Sequence, residues 1–275
     1  MHTCAPLPHP TRNHPVPHIL AIVRCARSTL VDFKKGLDTP TSSDLTLVRG
    51  DLLPKQVGQL ILGAYALAGA GAVPLCALSR APLPLLLGLL ATGAGSAYVY
   101  TGGPGLKYRA LGDILISATF GPLLVAFAYV TQTGSLGWRP MLGALPITML
   151  IEAILHANNA RDVDEDLAAG VRTIAARLGP KGSFNLYRYL LALPYLAPLY
   201  AALTHSLFAA LPLITWPTAA KLIDDFQNGR MVGLPKRTAK FQFLFSVLLT
   251  AGVLLPSPSL ASIAARAVRA ILGQA

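Results

Sequence analysis

The segment 156–166 places several carboxylates directly after an apolar run, 140–155. In a helix, Asn159, Asp162 and Asp166 would share one face because they are spaced i, i+3 and i+7. Carboxylates crowded on one face repel each other unless a cation lies between them. Hard oxygen ligands favour Mg²⁺, which binds one or two carboxylates and leaves its other positions to water and substrate phosphate. A solvated acidic loop at the end of a membrane helix is the alternative that the spacing leaves open.

A second polar cluster lies nearer the amino terminus. Ser28 and Asp32 are spaced i, i+4 and would share a helix face. Gly36 is expected to end that helix, and Asp38 follows it. Two acidic clusters that face the same side can bracket Mg²⁺ ions bound to a diphosphate. The chemistry that fits is ionisation of an allylic diphosphate, because Mg²⁺ and cations stabilise the charge on the leaving group.

A glycine-rich run between the clusters ends in basic residues. Residues 100–109 read Tyr-Thr-Gly-Gly-Pro-Gly-Leu-Lys-Tyr-Arg. Alone, this run would be a turn followed by basic residues that anchor the chain at the membrane interface. Beside two acidic clusters, Lys107 becomes a candidate for neutralising the leaving diphosphate. Arg161, Arg172 and Lys181 could serve the same purpose.

The composition indicates the class of protein that positions these groups. Of the 275 residues, 53% are hydrophobic and 13% are charged, and the mean hydropathy is +0.53. About a quarter of the residues in soluble domains are charged, so an integral membrane protein is indicated. The net charge of +11 comes from basic residues in loops without interleaved aromatics, which argues against nucleic-acid binding. The cysteines show neither a disulfide framework nor zinc-ligand spacing.

The apolar runs predict an all-α membrane bundle with about seven full spans and a short amino-terminal helix. The predicted spans are 57–78, 81–100, 114–131, 140–157, two within 189–220 that divide near 204–205, and 241–256. Along the chain, we expect three parts: a disordered leader over 1–16, a membrane domain over 17–256 and a basic amphipathic tail over 257–275. The tail could lie on the membrane surface.

Charged residues collect on one side of this predicted bundle. The loops on that side, 32–56, 101–113, 158–182 and 221–240, hold most of the Lys and Arg, whereas the opposite internal loops hold Arg80 and Arg139. The positive-inside rule places the basic loops in the cytoplasm or its equivalent. The acids lie in the same loops, which suggests a polar cavity for a charged ligand. Glu152, within a span, could be functional or could form a hydrogen bond with His156 one turn away. A transporter would place several charges along a path at mid-membrane, so a single acid there argues against that class.

Two aspartate-containing patterns and several shorter runs occur in order along the chain. The patterns are Ser28-x-x-x-Asp32-x-x-x-Gly36-x-Asp38 and Asn159-x-x-Asp162-x-x-x-Asp166. The shorter runs are 100–108, 110–113, 120–122, 152–159 and 234–239. Together they resemble the motifs of the UbiA superfamily of intramembrane prenyltransferases, and most of all its MenA-like branch with the animal members that make menaquinone-4.

This resemblance, over roughly residues 28–256, implies a helical bundle that uses Mg²⁺ to transfer a geranylgeranyl group from its diphosphate to a reduced naphthoquinone in the bilayer. It implies catalytic and metal-binding roles for Asp32, Asp162 and Asp166, with Asp38 and Asn159 as further metal ligands. It implies diphosphate binding by Lys107 and Arg161, and other substrate contacts by Tyr100, Asn158 and Asn159. Endoplasmic reticulum or Golgi membranes are favoured over mitochondrial ones.

Two features depart from the family pattern. Ser28 stands where the family usually has Asn, which shortens the reach of the side chain and removes its amide carbonyl. The family has nine spans, so this chain is expected to lack the first and most of the second. We therefore also consider transfer to dihydroxynaphthoate or hydroxybenzoate. From another class, we consider a catalytically impaired membrane protein that binds prenyl diphosphate, sterol or a partner protein.

Overall fold

The computed structural model of the protein describes residues 26–34, 36, 46–255 and 257–271. These residues form α-helices joined by short 3₁₀-helices and one π-helical turn, and no β-strand occurs among them. The expectation of an all-α protein is confirmed. The predicted leader, 1–16, and Asp38 lie outside the described residues.

The helices are named here in chain order. They are α1 (26–34), α2 (Pro54–Leu78), α3 (Leu83–Thr101), α4 (Gly112–Ala118), α5 (Leu124–Thr133), α6 (Trp138–Gly143), α7 (Leu145–Arg161), α8 (Val163–Ala168), α9 (Ile174–Ala192), α10 (Leu196–Thr204), α11 (Trp216–Gln227), α12 (Leu234–Leu254) and α13 (Leu260–Ile271). The 3₁₀-helices are Leu106–Arg109, Leu193–Tyr195 and Leu207–Thr215, and the π-helical turn is Thr119–Leu123.

Within the described ranges, three helical stretches are long and apolar enough to cross a bilayer: Pro54–Leu78, Leu83–Thr101 and Gly112–Thr133. They expose large apolar side chains such as Leu62, which is 71% exposed. Exposure of this kind suits lipid as the surrounding solvent, and the chain is an integral membrane protein. The other predicted spans fall on shorter or interrupted helices or, for the last one, on α12, whose first turns carry Lys and Arg, so the number of seven spans stays a prediction.

The first compact unit comprises residues up to Leu142 together with Asp162–Arg177. Its apolar core contains Leu86 from α3 and Val130 from α5, both fully buried. The hydroxyl of Ser79, after α2, donates a hydrogen bond to the carbonyl of Thr131 in α5 at 2.9 Å. These contacts tie together the ends of the three helical stretches that can span the membrane.

The second compact unit comprises Gly143–Arg161 and Leu178–Ala275. Its core includes the fully buried rings of Tyr187 and Phe245, and the Tyr187 hydroxyl lies 2.6 Å from Oγ1 of Thr238. Gly252 of α12 packs directly against the backbone of Phe208. Because lipid is as apolar as a helix surface, such close backbone packing stabilises a membrane bundle more than hydrophobicity does.

The structure corrects the expectation of one polar helix face over 159–166. Helix α7 ends at Arg161, and Asp162 has non-helical dihedral angles (φ −99°, ψ 15°) before α8 begins. Asn159 and Asp166 therefore lie on different helices. The first turn of α8 carries three acids, which interact favourably with the positive end of a helix dipole, so starting a new helix at this point is stabilised.

Other helix ends agree with the sequence or differ for simple reasons. Gly36, two residues beyond the last described residue of α1, has φ +68°, which agrees with the helix end predicted there. Helix α10 ends at Thr204, where the division near 204–205 was expected. The helix predicted from Phe241 instead begins at Leu234. Its first two turns are rich in Lys and Arg, which resemble a loop in hydropathy although they are good helix formers.

Candidate functional site

Lys107 lies in the 3₁₀-helix that follows the glycine-rich turn. Its Nζ is 2.5 Å from Oδ2 of Asp32 and 3.2 Å from Oγ of Ser28, both on α1. The side chains of Lys107 and Asp32 are 12% and 9% exposed, so the ion pair is largely shielded from water. The pair brings together residues of two separate predicted motifs.

Both carboxylate oxygens of Asp32 accept hydrogen bonds. The hydroxyl of Ser28 donates to Oδ2 at 2.9 Å, and the hydroxyl of Tyr108 donates to Oδ1 at 2.6 Å. The sequence analysis included Tyr108 in a motif but gave it no role. Its only signal was its place next to Lys107, and spacing along the chain could not reveal a contact with a residue on α1.

Asp162 and Asp166 belong to the same unit and lie one helical turn apart. The backbone N–H of Asp166 donates to the carbonyl of Asp162 at 2.8 Å. Burial raises the pKa of Asp166 to about 6, the positive charge of Lys107 opposes this rise, and the negative charge of Asp162 adds to it. Asp166 is thus within electrostatic reach of both residues, and the predicted diphosphate ligand and two predicted metal ligands share one neighbourhood.

The donor set of this neighbourhood suits Mg²⁺ bound together with a phosphate ligand. In the described part of the chain, no three Asp, Glu, His or Cys side chains are gathered into a ready-made metal site. Mg²⁺ does not need one, because it commonly takes one or two carboxylates and completes its shell with water and substrate phosphates. The carboxylates of Asp32, Asp162 and Asp166 are ligands of the required kind.

Tyr100 and Gly112 pack closely around the turn that carries Lys107. Tyr100, a predicted substrate contact, is only 4% exposed. A Cβ at Gly112 would lie 3.0 Å from Cα of Lys107 and 3.2 Å from the ring of Tyr100. The guanidinium of Arg177 also donates to the carbonyl of Arg109 at 3.1 Å. These contacts fix the backbone around Lys107.

The remaining predicted residues lie at the end of α7, in the second unit. Asn158 and Asn159 are 6% and 5% exposed. Arg161, predicted to bind diphosphate, donates from Nη2 to Oδ1 of Asn158 at 2.9 Å. This hydrogen bond links the two side chains, and the diphosphate role of Arg161 stays a prediction.

His156, one turn earlier on α7, is fully buried. Its Nε2 lies 2.9 Å from the carbonyl oxygen and 2.8 Å from the hydroxyl of Ser183, and its ring stacks on Phe226. Nδ1 has no hydrogen-bond partner within the described residues. Ser183 is thus the hydrogen-bond partner that the structure shows for His156.

A network of ion pairs occupies the turn between α11 and α12. Asp225 accepts hydrogen bonds from Nε of Arg230 at 2.7 Å and from Arg237, and Asp224 also pairs with Arg230. The hydrogen bond from Arg230, and to a lesser extent that from Arg237, lowers the pKa of Asp225. These charges of the predicted polar face stabilise the local structure.

Comparisons with known proteins agree with the resemblance seen in the motifs. Residues 19–247 match the model of the UbiA prenyltransferase family. UbiA prenyltransferase domain-containing protein 1 of Rattus norvegicus is 42% identical over 85% of this chain and 69% of its own length, and that of Homo sapiens is 42% identical over 86% and 70%. The Drosophila melanogaster homolog is 41% identical over 82% and 64%.

A solved structure shows the same fold. The apo structure of a UbiA homolog from Aeropyrum pernix K1 matches with a TM-score of 0.65 and 16% sequence identity. The match covers 90% of this chain and 92% of the archaeal chain. The helical architecture is therefore shared although few residues are.

Proposed function

This chain belongs to the UbiA prenyltransferase family, and from that premise we propose that it transfers a prenyl group from a prenyl diphosphate to a small aromatic acceptor within the membrane. The observation that carries the proposal is the ion pair of Lys107 with Asp32, within electrostatic reach of Asp166. A cation for the leaving group thus lies among carboxylates suited to the metal. A solvated acidic loop would not need this arrangement.

In the proposed reaction, the C–O bond of the allylic diphosphate breaks and its electron pair leaves with the diphosphate. The aromatic ring then forms a C–C bond to the allylic carbon, and the proton that it loses passes to the released diphosphate. Asp32, Asp162 and Asp166 would hold Mg²⁺, which, when bound, withdraws charge from the leaving oxygen. The ammonium of Lys107 stabilises the charge that develops on the diphosphate. Apolar helices around the site keep water from the allylic cation.

The finer assignment is geranylgeranyl diphosphate as the donor and a reduced naphthoquinone as the acceptor, as in menaquinone synthesis. It rests on the resemblance of the runs 100–108, 152–159 and 234–239 to the MenA-like branch. The same resemblance favours endoplasmic reticulum or Golgi membranes. Dihydroxynaphthoate and hydroxybenzoate are the alternative acceptors.

An acceptor panel tests this proposal. Membranes that contain the chain are incubated with geranylgeranyl diphosphate and reduced menadione, dihydroxynaphthoate or hydroxybenzoate, each with Mg²⁺ or with EDTA. We expect a prenylated naphthoquinone that forms only with Mg²⁺. Product from hydroxybenzoate alone would overturn the acceptor. No product from any acceptor, in a chain that is fully inserted, would overturn the activity.

The second candidate is an impaired family member that binds prenyl diphosphate, sterol or a partner protein without turnover. Ser28, in place of the usual Asn, is the observation that favours it. Binding of radiolabelled geranylgeranyl diphosphate without product formation would support this candidate. The hydrogen bonds that Ser28 makes to Asp32 and Lys107 favour the enzyme, because they keep the first motif connected.

A further inference from the structure

Asp32 is held by three side chains of the protein itself. Oδ2 contacts the ammonium of Lys107 at 2.5 Å and the hydroxyl of Ser28 at 2.9 Å, and Oδ1 accepts the hydroxyl of Tyr108 at 2.6 Å. The carboxylate is 6% exposed as a residue, so water does not compete strongly for it. A metal ion at Asp32 therefore either displaces one of these donors or takes the remaining lone pair of Oδ1 while Lys107 stays on Oδ2.

Displacing Lys107 without a replacement is costly. Removing one partner of a buried ion pair leaves a charge with neither a counterion nor full hydration. A divalent cation at Asp32 would also lie next to the ammonium and be repelled by it. A diphosphate removes both difficulties, because it offers oxygens to Lys107 and negative charge to the metal.

We propose that Lys107 and Tyr108 gate the metal site at Asp32, so that the divalent cation binds tightly only together with the diphosphate. The inference rests on the proposed function and adds an order of binding to it. Lys107 moves from Asp32 to the diphosphate as the metal takes its place. The ion pair disfavours metal binding before the diphosphate arrives, because the ammonium of Lys107 would then have no counterion.

Tyr108 acts as a positioning residue in this scheme. Its hydroxyl holds Oδ1 of Asp32, while Lys107 holds Oδ2. Since the phenol is uncharged, removing its hydroxyl takes one donor from the carboxylate without removing a positive charge from the site. The effect of Tyr108 on the metal can therefore be separated from that of the Lys107 charge.

The gate predicts that Lys107→Met has opposite effects on the binding of two ligands, Mn²⁺ and pyrophosphate. Binding of Mn²⁺ alone is measured by electron paramagnetic resonance on purified full-length protein in detergent, and binding of radiolabelled pyrophosphate is measured at saturating Mn²⁺. Lys107→Met should tighten Mn²⁺ binding about fivefold or more, a typical coupling between sites, and should weaken pyrophosphate binding. Tyr108→Phe should tighten Mn²⁺ binding by about twofold to tenfold, as expected for one hydrogen bond, and leave pyrophosphate binding unchanged.

Arg109→Met is the matched control, because it removes a positive charge from an exposed side chain on the same 3₁₀-helix. It should change neither measurement. Suppose that Lys107→Met weakens pyrophosphate binding but does not tighten Mn²⁺ binding. That result would overturn the gate but not the proposed function. A folded wild-type chain that binds no pyrophosphate at any Mn²⁺ concentration would overturn both.

Discussion

Lys107 and Asp32 form a 2.5 Å ion pair between side chains that are 75 residues apart in the sequence. One comes from the glycine-rich turn after α3 and the other from α1. Each was predicted to act on a different part of a bound Mg²⁺–diphosphate. Their direct contact shows that the two motifs meet in space, and under the proposed function the cation for the leaving group also holds a predicted metal ligand.

Ser28 is the first position where this account predicts a change in activity. Its hydroxyl donates to Asp32 and accepts from Lys107, so Ser28→Ala should loosen both residues and lower turnover. Ser28→Asn restores the usual family residue and adds an amide carbonyl, which is a metal-ligand type, so turnover should rise. Initial rates at varied Mg²⁺ concentration measure both effects.

Lys34→Gln, at an exposed position near the end of helix α1, serves as the control for that helix. If Ser28→Asn does not change the rate, the first motif does not limit activity and this part of the account is wrong.

Close packing in the second unit gives a stability prediction. A Cβ at Gly252 would collide with the carbonyl oxygen of Phe208 and lie 2.9 Å from Cα of Ala209. Because backbone cannot move aside as a flexible side chain can, Gly252→Ala should destabilise the protein by about 1–3 kcal/mol. Thermal unfolding in detergent, followed by tryptophan fluorescence, measures the shift in the midpoint.

Gly88→Ala in α3 is the matched control, since nothing lies within 4 Å of its added Cβ. It should leave the midpoint unchanged or raise it, because Ala is a better helix former than Gly. Equal midpoints for the two variants would show that the α12 packing does not depend on Gly252.

The ion-pair network after α11 predicts a pH dependence. Arg230 and Arg237 hold the folded-state pKa of Asp225 below its unfolded value, which is about 3.9. The stabilisation is therefore present above about pH 4 and is lost as the pH falls through the folded pKa. Asp225→Asn should lower the unfolding midpoint at pH 7, and its difference from wild type should shrink below about pH 4.

Gln227→Ala, at the exposed end of α11, removes a neutral side chain, so its effect on stability should not depend on pH in this way. If the unfolding midpoints of Asp225→Asn and wild type differ by the same amount down to pH 3, the role given to Asp225 is contradicted.

Local patterns in the sequence predicted much of the fold. Apolar runs located the helices, and Gly36 marked a helix end, because both signals depend on near neighbours. Hydropathy failed where charge and helix propensity disagree, as over the start of α12 from Leu234. A face assumed to continue through Asp162 was wrong, because the pattern 159–166 fits one helix as well as two.

The contacts within the site were less accessible to sequence reasoning. The motifs supplied Asp32, Lys107, Asp162 and Asp166 as candidates, but not the pairing of Lys107 with Asp32. Tyr108 had no role at all until its hydroxyl was found on Asp32. Such contacts depend on how α1 packs near the turn after α3, and no spacing along the chain encodes that packing.

Single-turnover product formation with Asp162→Ala tests the central claim most directly. Membranes with equal amounts of wild type, Asp162→Ala or Asp164→Ala are supplied with geranylgeranyl diphosphate, reduced menadione and Mg²⁺. Asp164 is an exposed acid in the same turn, so it controls for the loss of charge. We predict Mg²⁺-dependent product from wild type and Asp164→Ala, and a loss of about a hundredfold or more from Asp162→Ala, as expected when stabilisation of the leaving group is removed. Equal turnover by Asp162→Ala and wild type would contradict the assignment of this site.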